Sequence, residues 1–200
     1  MITRYPTRLI ISLAFVMVAI AYLLQITSPL RLINDGVDYL LQASSALDGN
    51  GFLVHGVRSM RSPGYPALIW VLAKVGIGKS WAIVALNCLL LGVGSVASYL
   101  VLRDSFEFSC EVAQFVSLLT LLSFLMVRNV TYPLSDICFF GASVPCLLVL
   151  IRAEAVSGSR RLWLLVFIIP FCFSASSCEP LESFSFPLSF GQQSAVLLGP

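Results

Sequence analysis

Length, composition and charge indicate a membrane protein. The chain has 200 residues, of which 58% are hydrophobic and 11% are charged, whereas soluble domains carry roughly 25% charged residues. At about 20 residues per spanning helix it has room for roughly five spans and no large aqueous domain, which excludes soluble enzyme folds. The net charge of +2 is small and dispersed, so no clustered basic face is available for nucleic acid.

The cysteines and the single histidine argue against a metal centre. The six cysteines show no C-x-x-C spacing, and most lie in apolar runs where a thiol packs as a small hydrophobic group. With His55 as the only imidazole, a zinc site of the usual Cys/His type lacks ligands. We therefore expect packing cysteines, a polar loop residue at His55 and no metal cluster.

Five apolar runs predict an all-α, multi-pass transmembrane fold. The first run follows Arg4 and Arg8, exceeds the 7 to 15 residues of a signal-peptide core and lacks an A-x-A-like cleavage site. We expect it to be retained, with the N-terminus in the cytoplasm. The predicted spans cover residues 9–27, 81–102, 112–127, 137–151 and 162–176.

Residues 66–77 leave two topologies open. This apolar run is short and contains Lys74, and runs of 10 to 14 residues are more typical of interfacial or re-entrant segments. If it spans, the basic loop around Arg160 moves outside. If it stays at the surface, as we favour, the short basic segments obey the positive-inside rule. Their residues are Arg4, Arg8, Arg103, Arg152, Arg160 and Arg161.

The favoured topology leaves residues 28–80 as one long external loop and places residues 128–136 on the same side, so we expect the two segments to meet. Within the long loop, Asn34 or Asp35 can cap a helix that Gly49 ends. Residues 49–51 form a predicted turn, and residues 52–60 are too short and mixed to classify. The helix is predicted to be amphipathic and to lie on the membrane, with an apolar face of Val37, Leu40, Leu41 and Leu47.

Three external carboxylates are candidates for chemistry. Asp35 and Asp38 follow the first span, where a carboxylate can act as a base without being buried in lipid. The same positions also suit a helix cap or a solvated first-turn charge. Asp136 opens the fourth predicted span and could equally be its N-cap.

Arg61 is the candidate for binding an anionic group. It begins the sequence Arg61-Ser62-Pro63-Gly64-Tyr65-Pro66, whose prolines and glycine stiffen and turn the chain at the surface. A guanidinium suits phosphate, so an anionic lipid head group is a reasonable ligand. A snorkelling arginine is the alternative.

Several motifs follow one another in a set order along residues 5–177. They are Asp35-Gly36-Val37-Asp38-Tyr39 followed by Ala43 and Leu47, Gly49-Asn50-Gly51-Phe52, the Arg61 to Pro66 sequence, Asn87, and Tyr132-Pro133-Leu134-Ser135-Asp136. This ordered set resembles the N-terminal part of bacterial GT-C membrane glycosyltransferases, the group that contains the protein O-mannosyltransferases and the aminoarabinose transferases.

The resemblance implies an enzyme of the bacterial cytoplasmic (inner) membrane that acts on its external face. Such an enzyme takes a sugar from a polyprenyl-phosphate carrier and attaches it to a hydroxyl on a protein, lipid or glycan. By resemblance, Asp35 is the general base on the acceptor hydroxyl. Asp136 positions substrate or, in some relatives, a divalent cation, and no other cofactor is expected. The implied substrate-binding residues are Arg61 for the carrier phosphate, Tyr39 and Tyr65 for the sugar or the lipid, and Asp38.

The resemblance stops near Ser177. Full members of the family run to several hundred residues with more spans, whereas residues 178–200 place two acids and two prolines where a helix should continue. We hypothesise that this tail is out of frame, which would leave the enzyme incomplete. A natural short protein with a disordered tail is the competing interpretation.

Two other functions remain open. A transporter or flippase fragment should carry polar groups within its spans, and the spans offer little beyond Asn87 and Gln114. In a non-catalytic membrane subunit, Asp35 and Asp136 would be caps. The small residues would then form a helix-packing face of Gly92, Gly94, Ser95 and Ser98.

Overall fold

The computed structural model describes residues 5–59 and 61–154, which are mostly helical, as predicted. The one hairpin pairs β1 (Leu53–Val54) with β2 (Val57–Arg58) in this part of the chain. The helices are α1 (Tyr5–Ile26), α2 (Asn34–Leu47), α3 (Gly64–Lys74), α4 (Ser80–Asp104), α5 (Cys110–Leu122), α6 (Phe124–Asn129) and α7 (Ser135–Glu154).

Three of the described helices are long and apolar enough to cross a bilayer, which identifies a membrane protein. They comprise residues Leu9–Ile26 of α1, all of α4, and Ser135–Ala153 of α7. The helix predicted over 112–127 is shorter than expected. Ser123 has an extended backbone that ends α5 after 13 residues, about 20 Å. The predicted span over 162–176 lies outside the described residues.

Helices α4 and α7 pack closely and run parallel, since the contacts advance toward the C-terminal ends of both helices. A Cβ at Gly94 would lie 2.5 Å from the ring of Phe140, and one at Gly141 would lie 2.6 Å from the carbonyl oxygen of Leu90. At the far end of the pair, Arg152 binds Asp104 at 3.1 Å. The predicted packing face is confirmed at Gly94 and Ser95, which are buried, but Gly92 faces open space.

The segment between α1 and α4 forms a cap of short elements at one end of the bundle. Helix α3 has 11 residues, about 16 Å, and is too short to cross a bilayer. It packs with α2 and α4 through one apolar cluster, whose buried members are Tyr39, Ala43, Tyr65, Ile69 and Ile83.

Helix α2 begins differently from the prediction and ends as predicted. Asn34 and Asp35 do not cap the helix, because the N-cap residue is Ile33 and no side chain bonds there. Gly49 ends the helix as predicted, in the left-handed region at φ 82°.

The unclassified residues 52–60 contain the hairpin, which turns at His55 (φ 49°) and Gly56 (φ 80°). Two positive φ values in a two-residue loop are typical of a type I′ turn.

Candidate functional site

The two loop segments expected to meet do so, at the end of the bundle where α4 begins. The backbone N–H of Arg31 donates to the carbonyl of Thr131 at 2.9 Å. Gly36 lies against Pro133 so closely that a Cβ there would be 2.6 Å from Cγ of the proline. Tyr39 OH and Ser135 Oγ share a hydrogen bond of 3.0 Å. These contacts place α2 directly against the start of α7.

Arg61 joins the two carboxylates of α2. Its Nη2 lies 2.6 Å from Oδ1 of Asp35, and its Nε donates to Oδ2 of Asp38 at 3.1 Å. Residues three apart share a face of a helix, so α2 can present both aspartates to one guanidinium. The guanidinium also lies 5.9 Å from the centre of the Tyr39 ring. Three other residues implied by the resemblance, Asp35, Asp38 and Tyr39, therefore lie around Arg61.

The charge of this cluster is negative. One guanidinium faces two carboxylates, and the hydrogen bond to Asp35 is the largest cause of the raised pKa of Arg61. All three side chains are partly exposed, with 34% of Arg61, 47% of Asp35 and 34% of Asp38 accessible. A phosphate that approaches Arg61 must therefore compete with carboxylates already bound to it.

Tyr39 and Tyr65 lie beneath this cluster in the interior. Their rings meet edge to face, with centroids 5.7 Å apart. Tyr65 is 2% exposed and donates its hydroxyl to Oδ1 of Asn87 at 2.9 Å. Burial raises the pKa of Tyr65, so this phenol is a hydrogen-bond donor and not an acid at neutral pH. The predicted contact of the two tyrosines with sugar or lipid stays a prediction.

Asn87 has a structural role inside the bundle. Its side chain is completely buried, and its Nδ2 donates to the carbonyls of Val130 at 3.0 Å and Tyr132 at 2.9 Å. It therefore ties α4 to the segment that leads into α7. All three hydrogen bonds of its side chain are internal, so the one buried amide of α4 is already satisfied.

Asp136 lies on the same end of the molecule but outside the Arg61 cluster. It is an exposed residue in the first turn of α7, where a helix dipole favours a negative charge. Within residues 5–59 and 61–154, no three His, Cys, Asp or Glu side chains gather where they could hold a metal ion. A divalent cation at Asp136 stays a prediction.

A basic group that the motifs did not reveal lies beside this site. The guanidinium of Arg128 is 5.5 Å from the ring centre of Tyr132. A side-chain hydrogen bond from Arg128 and, after it, the positive charge of Arg128 lower the pKa of Tyr132, and Arg31 acts in the same way more weakly, because donors and cations favour the phenolate. The sequence contained one signal for this group. Arg31 and Arg128 flank predicted spans on the external side, where the positive-inside rule predicts few arginines.

Cavities lined by described residues border the spans. One, of about 550 Å³, lies between the end of α1 and the start of α4 and therefore on the same end as Arg61; Lys79 and Trp81 are among its lining residues. Another, of about 370 Å³, is largely apolar and lies between α1, α4 and α5, around Tyr99 and Gln114. Tyr99 is in the half of α4 nearest Asp104, so this second cavity is remote from Arg61.

Comparison with protein-family models, with curated proteins and with solved structures finds no match to this chain. The geometry and the order of the motifs are therefore the grounds for a functional proposal. The geometry offers partly exposed carboxylates, held by a cation, at one end of a membrane-spanning bundle. Such groups can accept a proton from a hydroxyl that reaches the membrane surface.

Proposed function

We propose that this membrane protein carries the N-terminal catalytic region of a GT-C-like glycosyltransferase. It takes a sugar from a polyprenyl-phosphate donor and transfers it to a hydroxyl acceptor. The observation that supports this most directly is the contact of Arg61 with both Asp35 and Asp38, at the place where α2 packs against the segment before Asp136. Residues from three separate motifs of the resemblance meet there.

In the proposed reaction, Asp35 is the general base. The acceptor oxygen attacks the anomeric carbon while its proton passes to the carboxylate, so a neutral hydroxyl becomes a competent nucleophile. The bond between the anomeric carbon and the phosphate oxygen breaks, and the electron pair leaves on the polyprenyl phosphate. The configuration of the sugar inverts in this single displacement. Arg61 contacts Oδ1 of Asp35 before the donor binds, and the carboxylate of Asp35 receives the proton once the donor phosphate has taken over that contact.

The donor is proposed to reach the site along the bilayer. Its chain stays in lipid, and its phosphate approaches Arg61, which exchanges a carboxylate contact for a phosphate contact as the donor binds. Asp38 keeps the guanidinium oriented through Nε. Asp136, at the start of α7, is placed to bind hydroxyls of the sugar or acceptor.

The proposed setting is the bacterial cytoplasmic membrane, with five spans and the N-terminus in the cytoplasm. In this orientation the Arg61 cluster faces the exterior, where a polyprenyl-phosphate sugar and a protein, lipid or glycan acceptor can both reach it. The opposite end of the bundle carries Arg103, Arg152 and Asp104. The short segments proposed to lie in the cytoplasm carry arginines, as the positive-inside rule requires; these are Arg4, Arg8, Arg103, Arg152, Arg160 and Arg161.

A transfer assay with the full chain tests the proposal. The protein is reconstituted in vesicles together with a radiolabelled polyprenyl phosphate that carries mannose, glucose or aminoarabinose, and a membrane extract supplies acceptors. We expect label from at least one donor to move out of the donor lipid and free polyprenyl phosphate to appear in equal amount. If all three donors remain intact at the level of protein-free vesicles, the proposal is wrong.

A non-catalytic membrane subunit is the second candidate. It is favoured by one specific observation: Arg61 satisfies both carboxylates, so the cluster could serve only to hold α2 to the loop before α3. In that case Asp35→Asn and Arg61→Gln would lower stability to a similar degree, and no donor would be consumed.

A further inference from the structure

Two arginines from distant parts of the chain converge on Tyr132. Arg31 lies between α1 and α2, and Arg128 lies in the last turn of α6. The guanidinium of Arg128 is 5.5 Å from the ring centre of Tyr132. The backbone of Arg31 is bonded to Thr131, the residue immediately before Tyr132, at 2.9 Å.

The backbone that carries these groups is held from several directions. Asn87 of α4 donates to the carbonyls on both sides of Thr131, those of Val130 and Tyr132. Thr131 is 2% exposed, and its hydroxyl donates to the carbonyl of Arg128 at 3.1 Å. Since this backbone is already ordered, a ligand that binds here needs to immobilise only side chains.

The charge of the two arginines is not compensated within the described chain. Arg61 is bound by two carboxylates, whereas none of the ion pairs formed between described residues includes Arg31 or Arg128. Both side chains are exposed. An anion bound by both guanidinium groups would balance their positive charge. The lowered pKa of Tyr132 shows that the pair already favours a negative charge at this position.

The pair lies just beyond apolar surface. Leu23 and Leu24 at the end of α1 are more than half exposed, as are Phe124 and Leu125 at the start of α6. Such apolar side chains face lipid in a membrane protein, and the basic residues next to them then lie at the depth of the head groups. The anions most abundant at that depth are phosphate groups.

We infer that Arg31 and Arg128, with the hydroxyl of Tyr132, form a phosphate-binding site at the membrane surface, separate from Arg61. Two guanidinium groups and a phenol offer several donors to the oxygens of one phosphate, in the charge-assisted geometry that arginine provides. The inference does not depend on the proposed transferase function.

Native mass spectrometry of the full chain in detergent tests this site. The protein is titrated with phosphatidic acid and, separately, with diacylglycerol of the same acyl chains, so that the two lipids differ only in the phosphate. We expect phosphatidic acid to bind and the double variant Arg31→Gln/Arg128→Gln to weaken that binding by about tenfold or more. Arg58→Gln, a change at another exposed arginine on the hairpin, should leave it unchanged.

Further arms separate the source of the phosphate and the effect of misfolding. If millimolar inorganic phosphate displaces phosphatidic acid, the site accepts soluble phosphate; if it does not, the site requires a lipid. If the double variant does not elute as folded protein, Arg31→Gln and Arg128→Gln are tested singly, and each should weaken binding of phosphatidic acid but not of diacylglycerol. Equal affinity for phosphatidic acid in these variants and in Arg58→Gln would overturn the inference.

Discussion

Tyr65 donates its hydroxyl to Asn87 at 2.9 Å, which connects the short helix α3 to the spanning helix α4. Because Asn87 also bonds the carbonyls of Val130 and Tyr132, one buried amide holds three parts of the chain together. Arg61 precedes α3, and Asp136 follows the bonded segment. The relative position of the candidate site residues therefore depends on a residue that has no chemistry of its own.

Asn87→Leu should destabilise the protein by about 3 kcal/mol, because it leaves a buried phenol and two buried carbonyls without their partner. Thermal unfolding in detergent measures the effect. Gln114→Leu is the matched control, since Gln114 is a partly buried amide beside a cavity in the spanning region. If the two variants unfold at the same temperature, the network around Asn87 does not stabilise the fold.

Gly141→Ala should lower stability by about 1–3 kcal/mol, because the new methyl group would lie 2.6 Å from the carbonyl oxygen of Leu90 and force α4 and α7 apart. Gly92→Ala in α4 meets open space. It should be neutral or slightly stabilising, since alanine is the better helix former. Unfolding temperatures of the two variants, measured side by side, check the packing; a Gly141→Ala protein as stable as Gly92→Ala would contradict it.

Gln42→Leu should leave stability unchanged or raise it by about 1 kcal/mol. Gln42 is 1% exposed in α2, and neither atom of its amide has a hydrogen-bond partner in the described protein. Replacing an unpaired buried amide by an apolar side chain of similar size removes a desolvation cost. Thermal unfolding again provides the measurement. A clear loss of stability would mean that the amide of Gln42 binds a group of its own, such as a water molecule.

Local patterns in the sequence account for much of the fold. The spans α1, α4 and α7 follow from the length of their apolar runs, and α2 follows from its helical periodicity and from Gly49. The end of α5 before Ser123 and the two-residue strands β1 and β2 were not predicted. Each depends on the backbone geometry of a few residues, which produces no periodic pattern in the sequence. The cap expected at Asn34 or Asp35 was wrong because both residues lie inside the first turn of α2 and Ile33 is the N-cap.

The candidate site was predictable in part. The spacing of Asp35 and Asp38 places both on one face of α2, and the topology predicts that α2 meets residues 128–136. The partner of these carboxylates was not predictable, because Arg61 is bound to them across a loop and no periodicity links the two segments. The Arg31 and Arg128 pair was missed for the same reason: it depends on a tertiary contact between residues 31 and 131.

Tyr132 should ionise below the usual phenol pKa of about 10, and Arg128→Gln should raise its pKa toward that value. Because the folded-state pKa is lowered, this interaction stabilises the fold fully above the unfolded pKa. The stabilisation is lost as the pH falls through the folded pKa, so the interaction contributes little at neutral pH. Phenolate absorbance, corrected by subtracting the titration of Tyr132→Phe, measures the pKa. An unchanged value in Arg128→Gln would contradict the assignment.

The most direct test of the proposed function compares Asp35→Asn with Asp48→Asn in the transfer assay. Both changes remove a carboxylate of the same loop, but Asp48 is exposed at the end of α2 and has no place in the proposed site. Asp38→Asn removes the other carboxylate contact of Arg61. Its transfer rate therefore shows the effect of losing an ion pair with Arg61 while Asp35 is kept. We expect Asp35→Asn to lower kcat by about 100-fold or more with a similar KM for the donor, Asp38→Asn to have a smaller effect and Asp48→Asn to have none. Transfer by Asp35→Asn at the rate of Asp48→Asn would contradict the central claim that Asp35 is the catalytic base.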